Sequence, residues 1–193
     1  MAEYDLKLLQ KQMKEELTTD RYEHTLGVMY TAEALAMRYG VDMDKAAAAG
    51  LLHDCAKCIP NGQKIKLCKK YNIEISDMEG KNPSLLHAKL GACLAKILYG
   101  IKDEEILSAI RWHTTGKPDM SMLDIIIYMA DYIEPNRDKA PNLKEIRRLS
   151  FENIEEALYR VLEGTLSYLN DKPEAIDPMT KVSYEFYKWK LKR

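Results

Sequence analysis

The chain has 193 residues, enough for one well-buried domain and short for two. Hydrophobic residues at 46%, charged residues at 31% and a net charge of -1 exclude a disordered or membrane-embedded chain. They also give no general electrostatic case for binding nucleic acid or a membrane surface.

The opening segment MAEYDLKLLQKQMKEEL is charged throughout and lacks the apolar core and cleavage site of a signal peptide. No apolar run approaches the roughly 18 residues that span a bilayer. A cytoplasmic location is therefore expected. Apolar residues recur at helical spacing almost everywhere, and period-2 alternation of β-branched residues is nearly absent, so the fold class is all-α.

Taken in order, the pattern predicts a first helix over 5–17 and a second over about 21–38, stopped by Gly40. Asp42 or Asp44 starts a third, whose AAAAGLLHDCAK run is apolar enough to be buried, and Pro60, Asn61 and Gly62 break it. A short helix follows at 62–71, then a polar connection, ISDMEGKNPS, with little expected structure. Further helices are predicted at about 84–99, 103–113, 121–133, 151–170 and 179–191. The motif-bearing core spans about 20–137, and helices over about 150–191 complete one domain.

Cys55 and Cys58 form a C-x-x-C, a spacing that serves zinc or redox exchange, but Cys68 and Cys93 are not spaced as a second pair. The pair reads as two reduced cysteines near a helix end. The Lys-rich end, YKWKLKR, reads as a solvated helix terminus rather than a phosphate-facing tail.

Chemistry concentrates in the four histidines, His24, His53, His87 and His113, each in or beside a predicted helix. Asp131 lies in the apolar stretch LDIIIYMADYIEP, and Asp54 closes AAAAGLLHD. A buried, unpaired carboxylate costs several kcal/mol or takes up a proton, so each needs a cation or hydrogen-bond donors. Two such acids facing one core imply a shared cation. His53 and Asp54 point about 100° apart on a helix, yet converge on one ion if the helix end points at it. Mixed imidazole and carboxylate donors suit iron, manganese, cobalt or zinc.

The order His24, then His53-Asp54, then Asp131 resembles the H…HD…D signature of HD-domain phosphohydrolases, an all-helical superfamily. RYEHTLGV, LLHDCAK, LLHAKLGA, AIRWHTTGKP and YMADYIEPNR further resemble the bacterial YqeK family, across about 20–185. Cys55 departs from the tyrosine frequent there. The resemblance implies a symmetrical bis(5'-nucleosyl)-tetraphosphatase that cleaves diadenosine tetraphosphate into two ADP, and it implies a homodimer.

On the matching positions, the resemblance implies His24, His53, Asp54 and Asp131 as metal ligands, with iron as the expected ion. His87 and His113 would hold a second metal, bridged through Asp54, or contact substrate phosphate. Asp54, His87 and His113 would take part in catalysis. Arg21, Lys57, Thr114 and Arg137 flank the motifs and are candidates for binding the polyphosphate. Thr180 and Tyr184 are candidates for a base or phosphate. Two other readings stand beside this one: an HD phosphohydrolase of another nucleotide, and a non-catalytic nucleotide-binding module. A plain helical interaction protein would have to treat the histidines and Asp131 as coincidence.

Overall fold

The computed structural model describes residues 4–169 and 177–193, and among these there is no strand. The all-α expectation holds. Eleven α-helices follow in order: α1 (Leu6–Glu16), α2 (Thr19–Tyr39), α3 (Met43–Leu52), α4 (Asn61–Lys70), α5 (Asp77–Lys81), α6 (Leu86–Ile97), α7 (Glu104–Trp112), α8 (Met122–Ile133), α9 (Leu143–Glu152), α10 (Ile154–Leu169) and α11 (Pro178–Lys190). None of the described helices is long and apolar enough to cross a membrane.

The third helix is the centre of the fold. Ala46 to Ala49, Leu51 and Leu52 are fully buried, and α3 packs against α1, α2, α6, α7 and α8. An alanine-rich helix suits this position because small side chains let several neighbours approach at once. The approach to α2 is close enough that a Cβ on Gly50 would lie 2.9 Å from the Met29 Cα.

A tight hairpin joins α2 to α3. Gly40 takes the left-handed conformation (φ 69°) that ends α2, and the Asp42 side chain accepts the Lys45 amide at 3.0 Å to start α3. This geometry brings the early turns of α2 beside the end of α3. Helices α6, α7 and α8 pack in succession, α8 returns to α2, and α10 links α8 to α9 and α11. The hydroxyl of fully buried Tyr187 on α11 accepts the Met120 amide at 3.0 Å, which pins α11 to the segment before α8.

Two local expectations need correction. The connection over ISDMEGKNPS contains α5 and a 3-10 turn (Pro83–Leu85). A capping box organises it: Glu79 N–H donates to Ser76 Oγ at 3.2 Å, and Ser76 N–H donates to Glu79 Oε2 at 2.8 Å. The helix expected over 151–170 is α10, which begins at Ile154 after extended Asn153 (φ -149°); residues 151 and 152 instead close a separate helix, α9, that the sequence pattern does not predict. The expected end at 170 lies outside the described residues.

Candidate metal centre

All four histidines and both aspartates come from positions close to helix ends. His24 is in the second turn of α2, His53 and His113 cap the C-termini of α3 and α7, His87 is second in α6, and Asp131 is in the last turn of α8. Beyond His53 the chain turns at once, with the Lys57 amide on the Asp54 carbonyl at 2.8 Å. The helix thus ends where the His-Asp pair begins, which is how two adjacent residues face one site.

Three histidines are locked by their own backbone. The Nδ1–H of His53 donates to the Gly50 carbonyl, that of His87 to Ser84 and that of His113 to Ile110, each at 2.7 Å. Two of these bonds satisfy carbonyls that a helix C-terminus would otherwise leave open. The Nδ1–H of His24 donates instead to Glu134 Oε1 at 3.1 Å. A carbonyl or carboxylate can only accept, so every Nδ1 carries a proton and every Nε2 turns inward.

The inward atoms form two trios. Ligand atoms of His24, His53 and Asp131 lie within 4.8 Å of one another, as do those of Asp54, His87 and His113. The trios adjoin, with His53 Nε2 3.5 Å from Asp54 Oδ2. His53, Asp54, His87 and His113 are buried, with 0–3% of their surface exposed. His24 Nε2, His53 Nε2 and Asp54 Oδ1 are buried without a hydrogen-bond partner, although His24 Nε2 sits 3.1 Å from Asp131 Oδ1.

Burial and charge set the state of these groups. Burial, outweighing the Asp54 hydrogen bond, pushes the His87 pKa down to about 4, so its ring is neutral near pH 7. Its Nε2 lone pair then faces Asp54 Oδ1 at 3.2 Å and His113 Nε2 at 3.1 Å. Burial alone would raise the Asp54 carboxyl, but the surrounding imidazoles, His53 first and then His113 and His87, hold it well below the usual range. Asp131 is also lowered: burial acts upward, and His24, His53 and His113 act downward more strongly. Ionised carboxylates and inward imidazole lone pairs are the donor set of a divalent transition metal, and these residues fit such an ion.

A profile of the HD domain family matches residues 21–136. The chain is 40% identical over 174 residues to the symmetrical bis(5'-nucleosyl)-tetraphosphatase of Bacillus subtilis (strain 168), covering 90% of this chain and 92% of that one. The enzyme of the same name from Staphylococcus aureus (strain NCTC 8325 / PS 47) is 32% identical, with 93% of each chain covered. The chain belongs to the HD domain family. Among solved structures, a predicted HD superfamily hydrolase involved in NAD metabolism from Clostridium acetobutylicum superimposes with a TM-score of 0.92. It is 38% identical and covers 97% of this chain and 98% of its own.

Around the HD residues, the basic candidates occupy distinct places. Arg21 Nη1 donates to Asp54 Oδ2, and Arg137 Nη2 donates to Asp131 Oδ1, both at 2.8 Å. The two arginines and His24 line a cavity of about 650 Å³ together with Lys139. Lys57 Nζ is 3.1 Å from His87 Nε2 and 3.8 Å from Asp54 Oδ1. Thr114 Oγ1 lies 3.1 Å from His113 Nε2 and 3.3 Å from His87 Nε2.

Thr180 and Tyr184 are placed differently. Thr180 is buried in the first turn of α11, and Tyr184 stacks on Tyr159 with ring centroids 5.6 Å apart. Between them, Ser183 reaches the Thr115 carbonyl at 3.3 Å, so α11 touches the segment after His113. The cysteines of the C-x-x-C separate: Cys55 is buried with its thiol on the Gly91 carbonyl at 3.6 Å, and Cys58 is exposed.

Glu134 is the member that sequence reasoning missed. It is 2% exposed, orients His24, and its other oxygen accepts the Asn136 amide at 2.7 Å. A Cβ on Gly27 would collide with this carboxylate, so the glycine one turn along α2 makes room for it. A signal was present. An acid directly after an apolar helix sits at the negative end of the helix dipole, where it is disfavoured unless something else holds it.

Proposed function

We propose that this protein is a metal-dependent hydrolase that cleaves bis(5'-nucleosyl) tetraphosphates symmetrically, releasing two nucleoside diphosphates. The observation that carries the reading is the 40% identity, over nine-tenths of both chains, to an enzyme named for that reaction. The twin trios of inward-facing donors support its metal dependence.

His24, His53 and Asp131 hold one ion in this reading, and Asp54, with His87 and His113, joins it or holds a second. A bound divalent ion supplies a nucleophile near neutral pH and Lewis acidity toward the phosphoryl group. Iron is the ion we favour, and the mixed imidazole–carboxylate set supports it over calcium or magnesium.

The chain's own residues do the rest. Arg21 and Arg137 draw the polyphosphate into the cavity beside His24, where planar guanidinium forks match phosphate oxygens. Lys57, beside both Asp54 and His87, neutralises charge as the bridging bond breaks. A departing nucleoside diphosphate is a weak base, so charge neutralisation serves it better than a strong acid would. Asp54, with its depressed pKa, is a poor proton acceptor and acts chiefly as a ligand. Thr114 donates toward the phosphates from beside His113. Thr180 and Tyr184 act on the nucleoside, through the contact of α11 with the segment after Thr114.

A nucleotide screen tests the substrate class. With iron, manganese or cobalt added, diadenosine tetraphosphate should turn over far faster than mono- or triphosphates. Equal rates on simple mononucleotides would overturn the assignment.

A further inference from the structure

The segment that leaves α8 carries two partners of the metal centre. Glu134 orients His24, and Arg137 binds both the side chain of Asp131 and, through Nη2, its carbonyl at 2.9 Å. Within the segment, the Arg137 amide donates to the Glu134 carbonyl at 3.0 Å and the Asn136 amide to Glu134 Oε2 at 2.7 Å, which leaves the carbonyls of Ile133, Pro135 and Arg137 to be met from outside it.

The fixing group comes from α9. Arg147 Nε donates to the Ile133 carbonyl at 2.9 Å, and Nη2 donates to the carbonyls of Glu134 and Arg137 at 2.8 Å and reaches Pro135 at 3.4 Å. One planar guanidinium thus gathers the open carbonyls at the end of α8 and those of the turn beyond it. Arg147 lies outside residues 21–136, the part of the chain that matches the HD family profile.

We propose that Arg147 is a positioning residue for the metal centre: by holding 133–137, it sets Glu134 against His24 and Arg137 against Asp131. The proposal rests on the metal-centre reading above. It touches neither ion nor substrate, and it acts through Glu134 and Arg137. A lysine would keep the charge but not the fork, so the device is specific to arginine.

The test is manganese affinity, measured by chelator competition on folded full-length protein without substrate. Arg147→Met should weaken affinity about tenfold, as loss of an outer partner of a metal ligand does. Arg147→Lys should recover part of it, and decides the matter if Arg147→Met fails to fold. Glu134→Gln should show a similar loss, and the Glu134→Gln/Arg147→Met double variant should lose clearly less than the product of the two single losses, because they share the Glu134 route. Affinity of the folded Arg147 variants within about twofold of the parent, or losses that multiply, would overturn the proposal. If the parent binds manganese no better than His53→Ala, the metal-centre reading itself falls.

Discussion

His87 Nε2 lies 3.1 Å from His113 Nε2, and each ring has already committed its Nδ1–H to a backbone carbonyl. The two inward Nε2 atoms, with an Asp54 oxygen, lie within 4.8 Å of one another, where one metal ion would take all three as ligands. His113→Ala should therefore lower the metal content of the purified protein and reduce kcat by about 100-fold or more, beyond the loss typical of outer partners. Elemental analysis beside kinetics checks it; full metal content with lost activity would assign His113 to substrate instead.

Metal removal should destabilise the fold. An ion that binds only the native state at 100 times its Kd adds about 2.7 kcal/mol. Chelation should thus lower the melting temperature of the parent, and added manganese should restore it. In His53→Ala neither treatment should move the transition, as a thermal scan with and without chelator will show.

Arg21 separates charge from geometry. Its guanidinium already spends one nitrogen on Asp54 and lines the cavity with the rest. Arg21→Lys keeps the charge and loses the fork, so KM for the tetraphosphate should rise about tenfold, as a hydrogen bond to a charged group is worth about 1.5–3 kcal/mol. Steady-state kinetics at fixed metal would show it, and an unchanged KM would remove Arg21 from the phosphate site.

Asp103 supplies a pH signature away from the centre. It caps α7, the helix that ends in His113, and its carboxylate is 2.8 Å from Lys45. Partial burial acts upward on its pKa, but the Lys45 and amide hydrogen bonds outweigh it and hold the carboxyl below its ordinary value. A depressed carboxylate stabilises the fold fully above its ordinary value of 3.8 and loses that contribution as pH falls through the folded value. The melting-temperature gap between the parent and Asp103→Asn should be constant near neutrality and shrink below about pH 4. A gap that widens in acid would contradict the assignment.

Much of this molecule was legible in the sequence because its burial is periodic. Val28, Ala32 and Leu35 mark the inner face of α2, and the alanine run marks α3 as central. The ordered histidines and aspartates were legible because so few titratable groups sit among apolar residues. The α9 helix was not, because LKEIRRLSFE follows a polar stretch and runs into α10 with only Asn153 between them. Glu134 was hidden for a different reason: its role depends on the chain turning back toward α2, which no local pattern encodes. Arg147 was hidden likewise, since its partners are backbone carbonyls and carry no residue signature.

The most direct measurement is chromatographic identification of the products when purified protein, loaded with iron or manganese, is incubated with diadenosine tetraphosphate. The account predicts ADP alone, in a 2:1 ratio to substrate consumed by symmetrical hydrolysis, and none from His53→Ala. ATP and AMP in equal amounts, or the same ADP yield from His53→Ala, would contradict it.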